Sequence, residues 1–336
     1  MNQLNNHKLK SWKYGSLPDK TAIFVIGDIH GEYQLLNKIL REITKKIYKL
    51  SKNIKKEIIF IGDYIDRGLN SKKTISMIID LKKKYSCHKN IKINFICGNH
   101  DEFFSKLIFS NGIIPKPNDI SFKNDSLKKL VMSPLNYIYV SGFKAWYYIG
   151  GGRKTIEDYF PKILKKLDHL LITIDDKPDQ FPDLNYLINK FKNKIPYSHI
   201  VFFKNIVKNY YLIIGNYLFV HAGVNPKKTL KNQGIGNKSI SLNEYQFVEL
   251  LMIRDPFLWA DTLEKCPYYV IHGHTPSEHL KNNITIADGF KKFRLCLDTK
   301  VYKKNGSLTC FFKFQNTCKF ISVSKKDYNI KLSYQI

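Results

Sequence analysis

Three short apolar segments near the start of the chain each end in a glycine that is followed at once by acidic, amide or imidazole side chains. The segments lie at residues 22–26, 58–61 and 91–97, and each has the length of a buried strand. Leucine and isoleucine recur at helical spacing between them, over residues 35–47 and again after Ser71, which is placed to cap the second helix. This alternation of strands and helices predicts a parallel sheet in an α/β fold.

The middle of the chain, at about residues 115–200, has a different pattern. Proline and Asn/Asp turns precede short amphipathic stretches, which predicts a mostly helical insertion. Within it, Arg153 follows a glycine triplet that we interpret as a loop. Strand patterns dominate from residue 210 onward, where Gly215 and Asn216 separate two apolar runs as in a β-hairpin. Further strands are predicted at 268–271, 284–287, 294–297, 308–314 and 320–323.

Candidate metal ligands follow the strand ends. The first three strands are followed by Asp28 and His30, by Asp63, Asp66 and Arg67, and by Asn99 and His100; later strand ends add His221, His272 and His274. Because ligands bind at the carboxyl ends of the strands in an open parallel sheet, these side chains are predicted to converge on one edge. Carboxylate, amide and imidazole groups together suit divalent metals. The other histidines lie in polar surroundings and are predicted at the surface: His7, His88, His169, His199 and His279.

The segments GDIHG, GDYIDRG, GNHD, HAG and GHT, in this order, resemble the signature of the phosphoprotein phosphatase branch of the calcineurin-like metallophosphoesterase superfamily. They span residues 27–275, and the segments between them are similar to a bacterial subgroup of Ser/Thr-type protein phosphatases. The resemblance implies a metallophosphoesterase fold, a four-layer α/β (α+β-like) arrangement in which a central β-sandwich of mixed sheets is flanked by helices. We expect one such domain, 1–336, with its catalytic motifs in 21–111 and 210–300.

Two of the departures from the family pattern concern the last strand and the third motif. Leu297-Asp298-Thr299 fits the last strand of the family, yet Lys300 follows it where a small glycine is expected. Asp101 ends the third motif where glutamate is commoner, so an acid is retained. Neither change replaces a predicted metal ligand, which favours an active enzyme.

The resemblance implies a hydrolase with two divalent metal ions, with Mn²⁺ expected and Fe or Zn as alternatives. A hydroxide that bridges the metals would attack phosphorus directly, without a covalent enzyme intermediate. The implied ligands are Asp28 and His30 on the first metal, Asp63 bridging both, and Asn99, His221 and His274 on the second.

The resemblance also implies roles around the reacting phosphate. His100 would protonate the leaving group, and Asp66 would orient the His100 imidazole. Arg67 and Arg254 would bind phosphate oxygens through planar guanidinium groups, a bidentate task that lysine performs poorly. A structural ion pair with a neighbouring acid stays open for Arg254. His272 would contact the substrate or lie behind the ligands.

Composition leaves the substrate open. The chain carries 55 Lys+Arg against 28 Asp+Glu, a formal net charge of +27, and only five of these residues are arginine. Lysine is spread evenly along the chain, which is typical of a coding bias and not of one nucleic-acid-binding face. The first hypothesis is a Ser/Thr protein phosphatase, the second a symmetrical dinucleoside-tetraphosphate hydrolase, and the third a nucleic-acid-binding protein. A phosphoprotein or small phosphorylated molecule is therefore the expected partner, and nucleic acid is not.

Cysteine usage and hydropathy indicate the compartment. The six cysteines form no CxxC pair, and we expect them to be reduced thiols. No apolar run has the length of a signal peptide or of a membrane span, so a cytoplasmic protein without a membrane partner is expected.

Overall fold

The computed structural model of the chain describes residues 16–109, 140–173, 182–207, 209–236, 249–276, 290–291, 293–326 and 328–333. The strands within these ranges are β1 (Thr21–Ile26), β2 (Lys55–Phe60), β3 (Ile91–Phe95), β4 (Tyr211–Ile214), β5 (Tyr217–Val220), β6 (Tyr269–His272), β7 (Phe290–Lys291), β8 (Arg294–Cys296), β9 (Ser307–Phe314), β10 (Thr317–Ser324) and β11 (Ile330–Ser333).

The helices lie mainly in the first two thirds of the chain. They are α1 (Tyr33–Lys49), α2 (Ser71–Tyr85), α3 (Asn99–Phe109), α4 (Val140–Lys144), α5 (Gly152–Tyr159), α6 (Leu164–Thr173), α7 (Pro182–Lys192) and α8 (Tyr197–Ile206). A π-helical turn, Ala145–Ile149, joins α4 to α5, and short 3-10 turns form at Pro161–Ile163, Lys231–Gln233 and Phe257–Trp259. No helix in the described ranges is long and apolar enough to cross a membrane.

The strands form two mixed sheets. In the first, ordered β11-β10-β9-β1-β2-β3, the strands β1, β2 and β3 are parallel and β9 is antiparallel to β1. In the second, ordered β4-β5-β6-β8-β7, the strands β5, β6 and β8 are parallel, and β4 and β5 form the predicted hairpin. The expected α/β fold with two mixed sheets flanked by helices is therefore confirmed.

Alternation along β1 shows why the sheets pack face to face. Ile23 and Val25 share an apolar cluster with Phe219 of the second sheet, whereas Phe24 packs with residues of α1 on the opposite face. Neighbouring side chains of a strand point to opposite faces, so a strand with two apolar faces has to be buried on both. Each buried side chain of this size contributes roughly 1.5–3 kcal/mol.

The helical insertion is confirmed where it is described, since α4 to α7 lie within it and α8 begins within it. Its residues 115–139 and 174–181, like the strand predicted at 284–287, lie outside the described residues. The prediction of a loop at the glycine triplet is wrong at its last member, because Gly152 begins α5. Arg153 in that helix binds Asp168 through Nε (3.1 Å) and a terminal nitrogen (2.7 Å), a bidentate structural ion pair.

Two further predictions from the sequence are wrong. Ser71 does not cap α2; its hydroxyl accepts the backbone N–H of Asp66 at 3.2 Å. His199, predicted at the surface, is buried, with its ring nitrogens 3.0 Å from Ser76 Oγ and 2.7 Å from the Tyr159 hydroxyl. Burial lowers the pKa of His199 to about 4, so the ring is neutral and two hydroxyl groups from other helices satisfy it.

Candidate metal centre

The ends of both sheets meet at one edge, and backbone hydrogen bonds hold the loops together there. The backbone N–H groups of Ile29 and His30 donate to the Asp63 carbonyl at 3.0 and 2.8 Å. Across the second sheet, Gly273 N–H donates to the His221 carbonyl at 2.8 Å. One further bond crosses between the sheets, from His274 N–H to Asp28 Oδ2 at 2.9 Å. The sequence motifs therefore converge as predicted.

Several of these loop residues have left-handed backbone conformations that are unusual for residues other than glycine. The φ angles are +46° at His30, +52° at Asp63, +71° at Asp66, +64° at Arg67 and +66° at His274. Each such residue costs roughly 1–2 kcal/mol, which the surrounding structure has to offset. Backbone strain of this kind is concentrated at functional sites.

The first group of candidate ligands contains His30, Asp63 and His100, all of them buried. His30 Nδ1 lies 3.0 Å from the Ile65 carbonyl oxygen. A carbonyl oxygen only accepts hydrogen bonds, so Nδ1 carries the proton and Nε2 presents a lone pair. That Nε2 lies 3.5 Å from Asp63 Oδ2.

The second group contains the other oxygen of Asp63 together with His221 and His274. His221 Nδ1 donates to the Ile61 carbonyl at 2.8 Å, so Nε2 is the ring nitrogen that faces the centre. His221 Nε2 lies 3.4 Å from Asp63 Oδ1 and 3.0 Å from Asn99 Oδ1. His274 Nδ1 lies 2.9 Å from the same Asn99 oxygen. Asp63 thus has one carboxylate oxygen in each group.

This arrangement fits two divalent cations. Ligand atoms about 2.1 Å from a shared cation lie roughly 3 Å apart at right angles, close to the observed separations. The Asp63 and Asn99 oxygens carry lone pairs that a cation can share, and an imidazole nitrogen that faces them binds a cation once it carries no proton. Asp28 Oδ1 and His274 Nε2 are also buried without a hydrogen-bond partner in the described structure.

Charge in the centre favours the same conclusion. Burial and the neighbouring carboxylate of Asp298 raise the pKa of Asp28 well above its usual range. Burial alone would lower the pKa of His221, but Asp63 and Asp28 overcome this effect and raise it to about 10. The buried carboxylates therefore attract positive charge, which divalent cations would supply.

Asp101 positions the backbone of Asp63, the ligand that both groups share. Its Oδ2 accepts the backbone N–H groups of Asp63 (2.7 Å) and Gly98 (2.9 Å), and its Oδ1 accepts that of Tyr64 (3.0 Å). Burial and Asp63 raise the pKa of Asp101 to about 7. An acid at this position therefore holds the left-handed turn at Asp63, which explains why the shorter aspartate is sufficient.

His100 and Arg67 lie beside the first group of ligands. His100 Nδ1 donates to Asp66 Oδ2 at 2.8 Å, so its Nε2 is directed towards the centre, 3.9 Å from Asp63 Oδ2. The terminal nitrogens of Arg67 lie 3.2 Å from His100 Nε2 and 3.4 Å from His30 Nε2. The Arg67 guanidinium also stacks on the Tyr302 ring, 4.3 Å from its centroid.

The remaining predicted residues occupy two different environments. Arg254 is exposed, and its Nε donates to Thr275 Oγ1 at 3.2 Å, so its partner within the described residues is a hydroxyl group and not an acid. His272 is buried edge-on against Phe257, and burial lowers its pKa to about 3, so it is a neutral ring. Lys300 has a φ of +56°, the conformation for which the family's glycine is suited.

Gly273 lies so close to Asp28 that it permits a specific test. A Cβ atom at residue 273 would lie 1.9 Å from Asp28 Oδ1. We expect Gly273→Ala to displace this carboxylate and weaken metal binding at least tenfold, as measured by metal content after dialysis. Gly236→Ala is the control, because φ is +91° and no atom lies within 4 Å of its Cβ, so it strains the backbone away from the centre. Equal metal content in both variants would contradict a ligand role for Asp28.

Fold and site together define a metal-dependent phosphoesterase of the two-sheet type. The model of the calcineurin-like phosphoesterase family matches residues 21–302, and the chain belongs to this family. The serine/threonine-protein phosphatase 6 catalytic subunit of Drosophila melanogaster is 32% identical over 107 residues, which are 29% of this chain and 32% of that protein. Shewanella-like protein phosphatase 1 of Plasmodium berghei is 30% identical over 116 residues, 34% of this chain and 31% of that protein.

Each of these two matches spans only about a third of the length of the curated relative. Among solved structures, the cold-active protein-tyrosine phosphatase of a psychrophilic Shewanella species has a TM-score of 0.41 at 13% identity, covering 94% of this chain and 83% of that chain.

Proposed function

We propose that this phosphoesterase is a phosphomonoester hydrolase that removes phosphate from serine and threonine residues of proteins, with Mn²⁺ as its metal. The observation that carries the proposal is the Asp66–His100 pair beside Arg67, all at the edge of the metal ligands. A proton donor is needed when the leaving group is the poorly stabilised alkoxide of serine or threonine. The partial matches to a serine/threonine-protein phosphatase and to a Shewanella-like protein phosphatase support the same substrate class.

In this proposal the ligand set assigned from the sequence holds two cations. When bound, they would polarise the phosphoryl oxygens and activate a water molecule for attack on phosphorus. The ligand set is Asp28, His30, Asp63, Asn99, His221 and His274. A mixed set of oxygen and imidazole donors suits Mn, Fe or Zn better than Mg or Ca.

The arginines and the Asp66–His100 pair perform the remaining steps. Arg67, whose guanidinium lies over the Tyr302 ring, presents its planar fork to two phosphate oxygens. Arg254 binds the phosphate from the rim, with its Nε anchored on Thr275. His100, whose Nδ1–H is bonded to Asp66, would act in its doubly protonated form and give the Nε2 proton to the departing oxygen, leaving the ring neutral with its remaining proton at Nδ1.

A side-by-side assay tests the substrate class. Phosphoserine and phosphothreonine peptides and diadenosine tetraphosphate are offered to the protein with Mn²⁺ under identical conditions. We expect the peptides to be hydrolysed with the larger kcat/KM. Faster hydrolysis of diadenosine tetraphosphate would replace this proposal with a dinucleoside-polyphosphate hydrolase. DNA binding that falls steeply with salt, without hydrolysis of either substrate, would indicate a nucleic-acid-binding protein.

A further inference from the structure

The part of the insertion that reaches the centre is the segment 146–155, which contains the π-helical turn and the start of α5. Two of its side chains bind Asp66, although they follow it by 80 or more positions in the sequence. Trp146 Nε1 donates to Asp66 Oδ2 at 2.7 Å, and Thr155 Oγ1 donates to Asp66 Oδ1 at 2.5 Å. Trp146, Thr155 and Asp66 are all buried.

With these bonds, both oxygens of the Asp66 carboxylate accept hydrogen bonds. Oδ2 receives both the indole N–H and His100 Nδ1–H, and Oδ1 receives the Thr155 hydroxyl. An indole N–H can only donate, and Oδ2 as a carboxylate oxygen has two lone pairs with which it accepts both bonds. His100 Nδ1 must then carry the proton, and the lone pair or second proton of the ring is at Nε2, on the side of the centre.

The same segment also fixes the backbone beneath the carboxylate. Asp66 N–H lies 3.1 Å from Thr155 Oγ1, and Arg67 N–H donates to the Gly151 carbonyl at 3.2 Å. Gly152 admits the indole, because a Cβ atom there would lie 2.2 Å from Trp146 Cε2. Hydrogen bonds from residues 146–155 therefore stabilise the left-handed turn at Asp66 and Arg67.

We propose that Trp146 and Thr155 are positioning residues for the proton donor: by fixing both oxygens of Asp66, they hold the His100 Nδ1–H on Asp66 and keep Nε2, which carries the transferable proton when the ring is doubly protonated, directed to the leaving group. The proposal rests on the proposed function only for its kinetic consequence. Its structural content, the tautomer and orientation of His100, stands on the hydrogen bonds themselves.

The variants that test it each remove one donor; Thr155→Val keeps the side-chain shape, and Trp146→Phe keeps an aromatic ring of smaller size. Thr155→Val loses the hydroxyl, and Trp146→Phe loses the indole N–H. Thr74→Val is the matched control, because Thr74 is equally buried and its hydroxyl has no partner in the described structure. Tyr147→Phe is the second control, because it removes a donor from the same π-helical turn whose partner is Asp168, 2.7 Å away. Thermal unfolding establishes that all four variants are folded.

The kinetic readout separates positioning from general damage. We expect kcat for a phosphoserine peptide to fall about tenfold in Thr155→Val and in Trp146→Phe, the effect of losing one charge-assisted hydrogen bond. KM should be unchanged, and p-nitrophenyl phosphate, whose leaving group hardly needs an acid, should slow less than threefold. In a His100→Asn background the same changes should have no further effect, because residues that act as one unit are not additive. Equal losses on both substrates that persist without His100 would overturn the proposal.

A spectroscopic readout tests the proposal independently of catalysis. In ¹⁵N-histidine-labelled protein, the His100 signals are those absent from the His100→Asn spectrum. We expect a protonated Nδ1 in the wild type and in both controls, and a mixture of tautomers in Thr155→Val and Trp146→Phe at the same pH. An unchanged His100 tautomer in these two variants would overturn the proposal. A wild type that hydrolyses no phosphomonoester would overturn the proposed function instead, and this spectrum would still decide the role of Trp146 and Thr155.

Discussion

Replacing Asp63 by asparagine is expected to abolish turnover and metal binding together. Asp63 has one carboxylate oxygen in each group of ligands, 3.5 Å from His30 Nε2 and 3.4 Å from His221 Nε2. An amide keeps the shape but removes the charge and turns one of the two oxygens into an NH₂ donor. We expect kcat for p-nitrophenyl phosphate to fall by at least about 10⁴-fold, the scale of losing a principal catalytic group.

The loss in Asp63→Asn should not be a loss of folding. Removal of the Asp63 charge relieves repulsion at Asp28 but also removes the carboxylate that pairs with His221, so thermal unfolding is measured to show that the variant is folded. Metal content is measured by mass spectrometry after dialysis, beside Asp80→Asn, an exposed aspartate of α2, as the control. Two bound metals and full activity in Asp63→Asn would contradict a bridging role.

Replacing His100 by asparagine is expected to slow alkyl phosphates far more than aryl phosphates. His100 Nε2 is the one ring nitrogen directed to the centre, because Nδ1 is bonded to Asp66 at 2.8 Å. General acid catalysis contributes typically 10²–10⁴-fold, and a serine leaving group needs it most. We expect a loss of about 10³-fold for a phosphoserine peptide and of about tenfold for p-nitrophenyl phosphate.

A metal measurement distinguishes the two roles that His100 can play in the first group of ligands. His100 lies within that group together with His30 and Asp63. If it is the proton donor, His100→Asn retains both metals and loses activity selectively. Loss of a metal, with equal loss of rate on both phosphate esters, would identify His100 as a ligand instead.

The convergence of the motifs could be predicted from the sequence because it depends on local rules. A buried strand that ends in glycine places the next residues at the carboxyl edge of the sheet, and Asp28, Asp63 and Asn99 follow this pattern. The surroundings of Asp66 could not be predicted in this way. Trp146 and Thr155 come from the insertion, and the only local signal was a glycine triplet between a tryptophan and a threonine.

The arginines also show that tertiary contacts could not be predicted from the local sequence. In a chain dominated by lysine, Arg67 and Arg254 are the arginines predicted to perform a bidentate task, the binding of phosphate oxygens, and Arg67 lies in the centre. Two others perform such a task in the fold: Arg153 binds Asp168, and buried Arg294 donates to the carbonyl groups of Phe257 and Leu258. The planar guanidinium group of arginine suits structural hydrogen bonding as well as phosphate binding. Which role a given arginine has depends on its tertiary contacts, which the sequence does not show.

His199 shows that the polarity of neighbouring residues in the sequence does not predict whether a side chain is buried. Its neighbours in sequence include Tyr197 and Ser198, which suggested the surface, but its partners Ser76 and Tyr159 come from α2 and α5. Three separate helices therefore create the site of one neutral ring, a juxtaposition for which the sequence carries no periodic signal.

Metal stoichiometry measured against activity tests the two-cation centre most directly. The protein is stripped with a chelator and titrated with Mn²⁺ while bound metal and turnover of p-nitrophenyl phosphate are followed together. The shared position of Asp63 predicts that turnover is absent in the stripped protein and reaches its plateau at two ions per chain. Full turnover in the stripped protein, or a plateau at one ion per chain, would contradict it.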